Sequence, residues 1–195
     1  NKKGNNTSLR NIHNMAILVR ITFICFCLLS TSSLLSEALD EPCCPMYWTQ
    51  FETSCYKYFD VSRTFEAAET ICQNEDAHLT SILSKKEDDF IFDYWRQVNY
   101  IPDDFELEEK AVRPAVWLGF SDLEVEKQFK WNDGSRIIYT GWYDGEPNNA
   151  NRGDAHHLRG EDCGTIRWYE TEVGDGQWND TPCSYERPFV CKKPL

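Results

Sequence analysis

AVWLGF, residues 115–120, is a short apolar run of the kind that forms a strand. It opens the second half of the chain, in which turn sequences such as Asn132-Asp133-Gly134 separate several short runs. The other runs that we predict to be strands are Phe129–Trp131, Ile137–Tyr139, Asp162–Trp168 and Phe189–Cys191. This half of the chain is therefore predicted to form strands joined by turns and loops.

Two amphipathic helices and a hairpin are predicted before these strands. Apolar residues recur at helical spacing within Ser62–Asn74. A second helix is predicted to begin at Ser84, because Ser84 and Glu87 form a capping-box pattern. Its predicted buried stripe consists of Phe90, Ile91, Tyr94 and Trp95. The aromatic-rich segment Tyr47–Phe59 is predicted to be a hairpin. Helices followed by strands predict an α+β domain.

Two segments are predicted to be loops. Val98–Val112 is acidic and lacks regular periodicity, which indicates a surface insertion. Gly141–Gly160 is too long for a passive connection in a compact domain, so we interpret it as a binding loop. The large aromatic residues Trp117, Trp131 and Trp178 are predicted to lie in the core, and the same is favoured for Trp142 beside the loop.

The segment before residue 39 is interpreted as lying outside the folded domain. Residues 15–38 have the features of a signal peptide, since Arg20 precedes the apolar run Ile21–Leu29. That run is too short to span a membrane. Residues 1–14 precede Met15 and are interpreted as upstream sequence. Residues 39–195 are therefore predicted to be one secreted, extracellular domain with no membrane span.

The net charge of the chain indicates which classes of partner it can bind. The sequence contains 20 Lys and Arg against 32 Asp and Glu, which gives a formal net charge of -12. Such acidity argues against nucleic acid as a partner, because nucleic-acid binding depends on basic surfaces. It is compatible with a protein that binds cations.

The cysteines indicate an oxidising compartment. After Cys25 and Cys27 are set aside with the leader, seven remain: Cys43, Cys44, Cys55, Cys72, Cys163, Cys183 and Cys191. An odd number in an exported protein predicts a bond between chains.

Three short motifs near the long loop concentrate oxygen-bearing side chains. They are Glu146-Pro147-Asn148, Glu161-Asp162-Cys163 and Trp178-Asn179-Asp180. Calcium takes about six to eight oxygen ligands from carboxylates and carbonyls. The predicted calcium ligands are Glu146, Asn148, Glu161, Asn179 and Asp180. Zinc is not favoured, because His156 and His157 have no third partner nearby in the sequence.

Together these motifs resemble the C-type lectin-like domain. Trp117-Leu118-Gly119-Phe120 is similar to the core signature of that family, and the Glu-Pro-Asn and Trp-Asn-Asp motifs are similar to its sugar site. The resemblance extends from Cys44 to Lys192. It implies an α+β fold with two helices, two small antiparallel sheets and a long calcium-binding loop.

The resemblance also implies a disulfide pattern. The family's two bridges correspond to Cys72 with Cys191 and Cys163 with Cys183. Cys44 and Cys55 resemble the extra amino-terminal pair of longer members. Cys43 is then left to link two copies of the chain in a homodimer, although Cys43 and Cys44 can exchange these roles.

The family's sugar-binding mechanism is implied for the same five residues. Two neighbouring hydroxyls complete the calcium shell, while carboxylates accept and amide groups donate hydrogen bonds. Glu-Pro-Asn accompanies mannose-type specificity, which includes N-acetylglucosamine and fucose, whereas Gln-Pro-Asp accompanies galactose. The family's cis peptide bond is expected before Pro147.

Three further expectations concern the long loop. The twelve residues Asn149–Gly160 must loop out if Glu161 is to reach the metal, and otherwise Asp154 is the nearest substitute. An auxiliary calcium site is predicted from Asp122, Glu126, Asn149 and Asp162. Asn179-Asp180-Thr181 is also a glycosylation sequon, and a glycan there would abolish the calcium site.

Two other classes of function remain. An acidic secreted domain can act structurally, binding mineral or matrix and using calcium only to hold its loop. A glycosidase would need a pair of carboxylates, such as Glu161 and Asp162. Adjacent residues of a strand point to opposite faces, so we predict that the protein is not an enzyme.

Overall fold

The computed structural model describes residues 43–99, 114–151, 160–167 and 176–195. Several predictions fall outside these ranges and are not addressed by the structure. They are the upstream and signal segments 1–14 and 15–38, most of the insertion Val98–Val112, Asp154, and the pair His156 and His157.

The described residues contain both predicted helices and a set of short strands. In chain order these are β1 (Thr49–Phe51), β2 (Ser54–Arg63), α1 (Phe65–Gln73), β3 (His78–Leu79), α2 (Lys85–Val98), β4 (Ala115–Ser121), β5 (Lys130–Trp131), β6 (Cys163–Arg167), β7 (Gln177–Thr181) and β8 (Arg187–Pro194). Helices precede most of the strands, and the predicted α+β class is confirmed.

The strands form one mixed sheet with the order β1-β2-β8-β4-β6-β7, while β3 pairs with β8 and β5 with β4. All these pairings are antiparallel except β4 with β8, which is parallel at Trp117 and Phe189. This contact joins the two small antiparallel sheets that the sequence predicts. Both residues are fully buried. Burial of two large aromatic side chains at this point favours the close approach of their strands.

Most local signals in the first half of the chain are confirmed, although Phe90 and Tyr94 of the predicted stripe are only partly buried and Phe92 is buried. β1 and β2 form the predicted hairpin, with Gln50 opposite Cys55. α2 is capped as predicted, since the backbone N–H of Glu87 donates to Ser84 Oγ over 3.1 Å. α1 begins three residues later than predicted, at Phe65, because β2 extends to Arg63.

The strand predictions fail at two places. Ile137–Tyr139 is not a strand, and the side chains of Ile137 and Ile138 are 44% and 69% exposed. Conversely, β7 was predicted only as a ligand motif. It pairs with β6 in antiparallel register, with Asn179 opposite Thr165. Trp178, Asn179, Asp180 and Thr181 of β7 are nevertheless buried. The polar composition of this strand therefore does not indicate that it lies in the core.

β4 lies between two core clusters and explains why residues 115–120 decide the fold. Val116, Leu118 and Phe120 belong to one cluster, which also contains Trp131 and Trp178. Trp117 belongs to the other cluster, together with Phe65, Phe189 and the disulfide-bonded Cys72, Cys163 and Cys191. Alternate residues of a strand face opposite sides, so an unbroken apolar strand supplies both clusters. The prediction that Trp117, Trp131 and Trp178 are core residues is confirmed.

Three disulfides brace the domain. They join Cys44 to Cys55, Cys72 to Cys191, and Cys163 to Cys183. The second joins α1 to β8 across a sequence separation of 119 residues. Closing a loop of that length stabilises a fold by about 4 to 5 kcal/mol in the chain-entropy model. Cys43 is exposed and is not disulfide-bonded.

Gly119 is required by the close approach of another backbone segment. Its N–H donates to Thr80 O over 2.9 Å, and a Cβ at this position would lie 2.3 Å from Leu79 O. A main-chain atom cannot move aside as the end of a flexible side chain can. The glycine of the Trp-Leu-Gly-Phe motif therefore allows β4 to lie against the segment that follows β3.

We predict that Gly119→Ala destabilises the domain by about 2 kcal/mol or more, because overpacking a close contact is costly. Thermal or urea unfolding of the oxidised protein measures the effect. Gly134→Ala is the comparison: no atom lies within 4 Å of the Cβ that it would add, but its φ of +75° should by itself cost about 1 kcal/mol. Equal stability losses in the two variants would contradict the proposed role of Gly119.

Asp88 of α2 connects this helix to β7 and to Tyr139 in the segment after β5. Its Oδ1 accepts from Trp178 Nε1 over 2.8 Å, and its Oδ2 accepts from Tyr139 OH over 2.8 Å. The carboxyl group is buried. Burial raises the pKa of Asp88 to about 6, and the two hydrogen bonds oppose this shift only in part. Asp88 thus holds Trp178, the residue before Asn179 and Asp180.

The raised pKa of Asp88 predicts a pH-dependent contribution to stability. The folded state holds the proton more tightly than the unfolded chain, so this contribution is present at acidic pH and is lost as pH rises through about 6. The free energy of unfolding should fall by roughly 2 kcal/mol more in the parent protein than in Asp88→Asn between about pH 4 and 7. Denaturant unfolding across that range tests this, and parallel stability curves would refute it.

Candidate functional site

The first residues of the long loop are hydrogen-bonded to β7. The N–H of Trp178 donates to Gly141 O over 2.7 Å, and the N–H of Tyr143 donates to Trp178 O over 2.9 Å. Trp142 is half-buried, and its ring packs edge-on against Trp178 at a centroid distance of 5.9 Å. The prediction that Trp142 belongs mainly to the core is therefore confirmed. These contacts fix the start of the loop beside Asn179 and Asp180, which follow Trp178 on β7.

The Asp180 carboxylate binds the backbone of the loop. The peptide bond between Glu146 and Pro147 is cis, as the family resemblance implies. After this bond the N–H of Asn148 donates to Asp180 Oδ1 over 3.2 Å, and that of Asn149 donates to Asp180 Oδ2 over 2.6 Å. Asp180 is fully buried, so these charge-assisted hydrogen bonds are shielded from water. They bring the Glu-Pro-Asn motif against the Trp-Asn-Asp motif.

The structure also places Glu161 against the loop, beside Asn149 and Ala150. Its N–H donates to Asn149 Oδ1 over 2.8 Å, and its Oε2 accepts from the N–H of Ala150 over 3.3 Å. The two ends of Asn149–Gly160 thus meet, as Glu161 requires if it is to reach the site. Glu161 is buried beside the loop, and the substitute role of Asp154 is not needed for this arrangement.

Gly160 makes this closure sterically feasible. Its φ is +86°, and a Cβ on it would lie 1.7 Å from Asn149 Oδ1. A left-handed φ favours glycine over residues that carry a side chain. The sequence alone indicates no role for Gly160 beyond ending the insertion. A glycine directly before a ligand motif is the signal from which this role can be inferred.

The acids of the site perturb one another. Burial raises the pKa of Glu146 to about 7, helped by the hydrogen bond and the charge of Asp180 and then by the charge of Glu161. The positive charge of Arg167 opposes the shift. Glu146 Oε2 is buried and has no hydrogen-bond partner. An acceptor atom in this state, among other carboxylates, is well suited to a cation.

Asn179 is less directly joined to the other predicted ligands. It is 4% exposed on β7, where its Nδ2 donates to Asp180 O and, over 3.2 Å, to Thr181 Oγ1. The amide nitrogen is thus engaged by its own strand. The structure therefore brings Glu146, Asn148, Glu161 and Asp180 together, with Asn179 adjacent through the chain.

A cavity of about 420 Å³ adjoins these residues and contains most of the predicted auxiliary site. Its lining consists of Asp122, Glu126, Lys127, Phe129, Pro147, Asn148, Asn149 and Asp180. Asn149 Nδ2 donates to Glu126 Oε2 over 2.8 Å. Asp122 is buried, and its Oδ1 lacks a hydrogen-bond partner. Burial raises the pKa of Asp122, and the charges of Glu126 and Asp180 add to the shift.

Asp162, the fourth residue predicted for the auxiliary site, is not among the residues that line this cavity. Its carbonyl oxygen accepts from the N–H of Asp122 over 3.1 Å. Lys127 and Phe129 also line the cavity and are not among the site residues predicted from the sequence. Neither belongs to a motif with oxygen ligands, so only the folded structure places them there.

The donor set fits calcium better than zinc. Within the described ranges, no three His, Cys, Asp or Glu side chains are arranged to hold a metal ion by themselves. A calcium shell here needs the amide oxygens of Asn148 and Asn179 as well as the carboxylates. Calcium accepts such a mixed oxygen shell of irregular geometry. The partnerless oxygens of Glu146 and Asp122 agree with this choice.

Comparison with known proteins gives the family. The model of the Lectin C-type domain matches residues 61–193, and this chain belongs to that family. Versican core protein from Rattus norvegicus is 39% identical over 146 residues, which cover 75% of this chain and 4% of that protein. The chain thus spans a small part of its curated relative. Domains of this family typically bind calcium and carbohydrates, and proteins that carry them are generally non-enzymatic binding proteins.

Solved structures agree on the fold. The cow carbohydrate-recognition domain of CD23, determined in the presence of a GlcNAc2Man3 oligosaccharide, is 28% identical with a TM-score of 0.60. The alignment covers 78% of this chain and 97% of that one. A calcium-independent type II antifreeze protein is 26% identical with a TM-score of 0.58, over 78% of this chain and 95% of that one. The fold therefore does not by itself determine calcium dependence.

We predict that Gly160→Ala weakens calcium binding about tenfold or more, because displacing Asn149 also displaces Glu161 from the ligand set. Isothermal titration with calcium measures this. Gly134→Ala is the matched control, since it also has a positive φ but no atom within 4 Å of the added Cβ. Unchanged calcium affinity in Gly160→Ala would show that the contact does not position Glu161.

Proposed function

We propose that this protein is a calcium-dependent lectin of mannose-type specificity. The observation that carries the proposal is the buried Glu146 Oε2, which has no hydrogen-bond partner and lies beside Asp180 and Glu161. A cation at this position would offset the mutual repulsion of the three carboxylates. The proposed calcium ligands are Glu146, Asn148, Glu161, Asn179 and Asp180.

The chain's own residues would prepare the site before sugar arrives. Asp180 holds the backbone of Asn148 and Asn149, so the side chains of the Glu-Pro-Asn motif stay near β7. Calcium, when bound, would supply coordination positions for two neighbouring hydroxyl groups of a sugar. Glu146 and Glu161 would accept hydrogen bonds from those hydroxyls, and Asn148 would donate to them. Asn179 would also donate once its Nδ2 exchanges Thr181 Oγ1 for a sugar hydroxyl. The same residues would thus hold the ion and read hydroxyl orientation.

The order of acid and amide in the first motif supports mannose-type ligands. Glu146 supplies only acceptors, whereas the Asn148 amide supplies donors as well as an acceptor. Exchanging the two types reverses the hydrogen-bond pattern offered to a pair of sugar hydroxyls. The proposal therefore covers mannose, N-acetylglucosamine and fucose, and it places galactose lower.

The rival function is structural. A net charge of -12 suits attraction to mineral or matrix cations, and one solved neighbour with this fold is calcium-independent. In that alternative, ions would hold the loop without taking part in sugar recognition. Calcium-dependent binding of a defined sugar separates the two functions.

We also propose that the protein is secreted and that Cys43 joins two copies. Three disulfides within one domain are typical of an exported protein. Cys43 is exposed and is not bonded to another cysteine. Within the described segments, no helix has the length and apolar character needed to cross a membrane.

The sequon at Asn179 is proposed to be unmodified. Asn179 is buried within the β6–β7 pair, and its Nδ2 is hydrogen-bonded to Thr181. A glycan on this nitrogen would have to leave the sheet through packed residues. Retention of the unmodified side chain keeps Asn179 available to calcium.

The decisive experiment measures binding to immobilised mannose-type glycans with calcium and with a chelator. We expect binding that the chelator abolishes and that free mannose inhibits more strongly than galactose. The double variant Glu146→Gln with Asn148→Asp should reverse the order of the two inhibitors. Asp144→Asn, an exposed acid of the same loop, is the control. Failure of every glycan to bind would favour the structural rival, binding that survives the chelator would refute calcium dependence, and stronger inhibition by galactose in the parent protein would refute the specificity.

A further inference from the structure

Lys127 occupies an unusual position beside the proposed sugar site. It lines the cavity that also contains Asn148 and Asp180. Its N–H donates to the buried Asp122 Oδ2 over 2.8 Å, and the N–H of Gln128 donates to Val125 O over 2.9 Å. The backbone that carries the Lys127 side chain is therefore fixed by a turn and a buried carboxylate.

The backbone of Lys127 is in a conformation that favours glycine. Its φ is +64°, in the left-handed region. A residue with a Cβ is disfavoured there by about 1 kcal/mol or more, so lysine is a costly residue for a turn that needs no side chain. An observed outlier of this kind supports a functional role for the side chain.

Two of the acids that line the cavity, Asp180 and Glu126, are engaged by other groups, whereas Asp122 Oδ1 has no hydrogen-bond partner. Both oxygens of Asp180 accept from the loop backbone, and Glu126 Oε2 accepts from Asn149 Nδ2. Among the residues that the structure describes, the ammonium group of Lys127 forms no ion pair within 4.0 Å. By contrast, Lys130 Nζ pairs with Glu124 at 2.5 Å. Lys127 thus lines the cavity with an exposed side chain that has no ion pair within the described part of the chain.

We propose that Lys127 gives the site a preference for sugars that carry an anionic substituent. The inference rests on the proposed function, because the hydroxyl pair of the sugar would be held at the calcium site. A sulfate or phosphate ester, or a carboxylate, elsewhere on the sugar then meets the ammonium group. A calcium ion would balance the charge of the neighbouring carboxylates, so that Lys127 remains as the local positive charge.

The remaining lining supports a sugar more than a free anion. Phe129 and Pro147 supply an apolar wall to the same cavity. Phe129 packs against Trp142 with a ring-centroid distance of 5.0 Å, which holds that wall in place. Aromatic and proline surfaces suit the C–H face of a sugar ring, whereas an inorganic anion gains little from them.

The test compares methyl α-mannoside with mannose 6-sulfate and mannose 6-phosphate, by calorimetry on the calcium-loaded protein. In the parent protein we expect the charged sugars to bind about three- to tenfold more tightly, with a preference that declines at high salt. Inorganic sulfate alone should bind weakly, which would separate the sugar ester from a free anion. Different responses to the sulfate and phosphate esters would identify which substituent the site favours.

Two variants and a control keep the proposal falsifiable. Lys127→Gly suits the positive φ and should reduce the ratio of the two affinities to near one, whereas Lys127→Arg should retain the preference. Lys130→Ala removes a cation that is paired with Glu124 and should also retain it. Equal binding of charged and neutral mannose by the parent protein would overturn this inference but leave the lectin function intact. Failure of every sugar to bind would overturn both.

Discussion

The hydrogen bonds from the N–H groups of Asn148 and Asn149 to the Asp180 carboxylate are the constraint on which the site depends. These hydrogen bonds join the long irregular loop to β7, a polar strand that is largely buried. The carboxylate belongs to Asp180 of β7. This strand is held by its pairing with β6 and by the hydrogen bond from Trp178 to Asp88 of α2. The loop is thus positioned by a rigid sheet and a helix. Polar groups that would otherwise be costly to bury become paired with one another.

The same arrangement explains the electrostatics of the site. Asp180 is buried for structural reasons, yet its charge lies beside Glu146 and Glu161 and raises the pKa of Glu146. The backbone hydrogen bonds of Asp180 relieve only part of this repulsion. The negative charge of the site is only partly offset by other groups of the chain, so the site is suited to a bound cation. The fold and the proposed ion therefore share one residue, and substitution of Asp180 would affect both.

Much of this was predictable from sequence because it rests on local patterns. The capping pair Ser84 and Glu87 and the apolar run at 115–120 each reflect a short-range rule, and the structure agrees with both. What failed depends on tertiary context. The sequence of β7 is mostly polar, and its burial is explained only by its pairing with β6 in the folded structure. Lys127 carries no motif, and it reaches the cavity because of a turn conformation that a residue sequence does not display.

The pairing of β2 with β8 has a consequence for how the domain can be used. Ser54 lies opposite Pro194, and the N–H of Leu195 donates to Thr53 O over 3.0 Å. Cys44 is bonded to Cys55, which lies opposite Lys193, so the two ends of the folded unit are neighbours beside the β2–β8 pair. A unit built this way is a module: flanking polypeptide can enter and leave on the same side without crossing the loop.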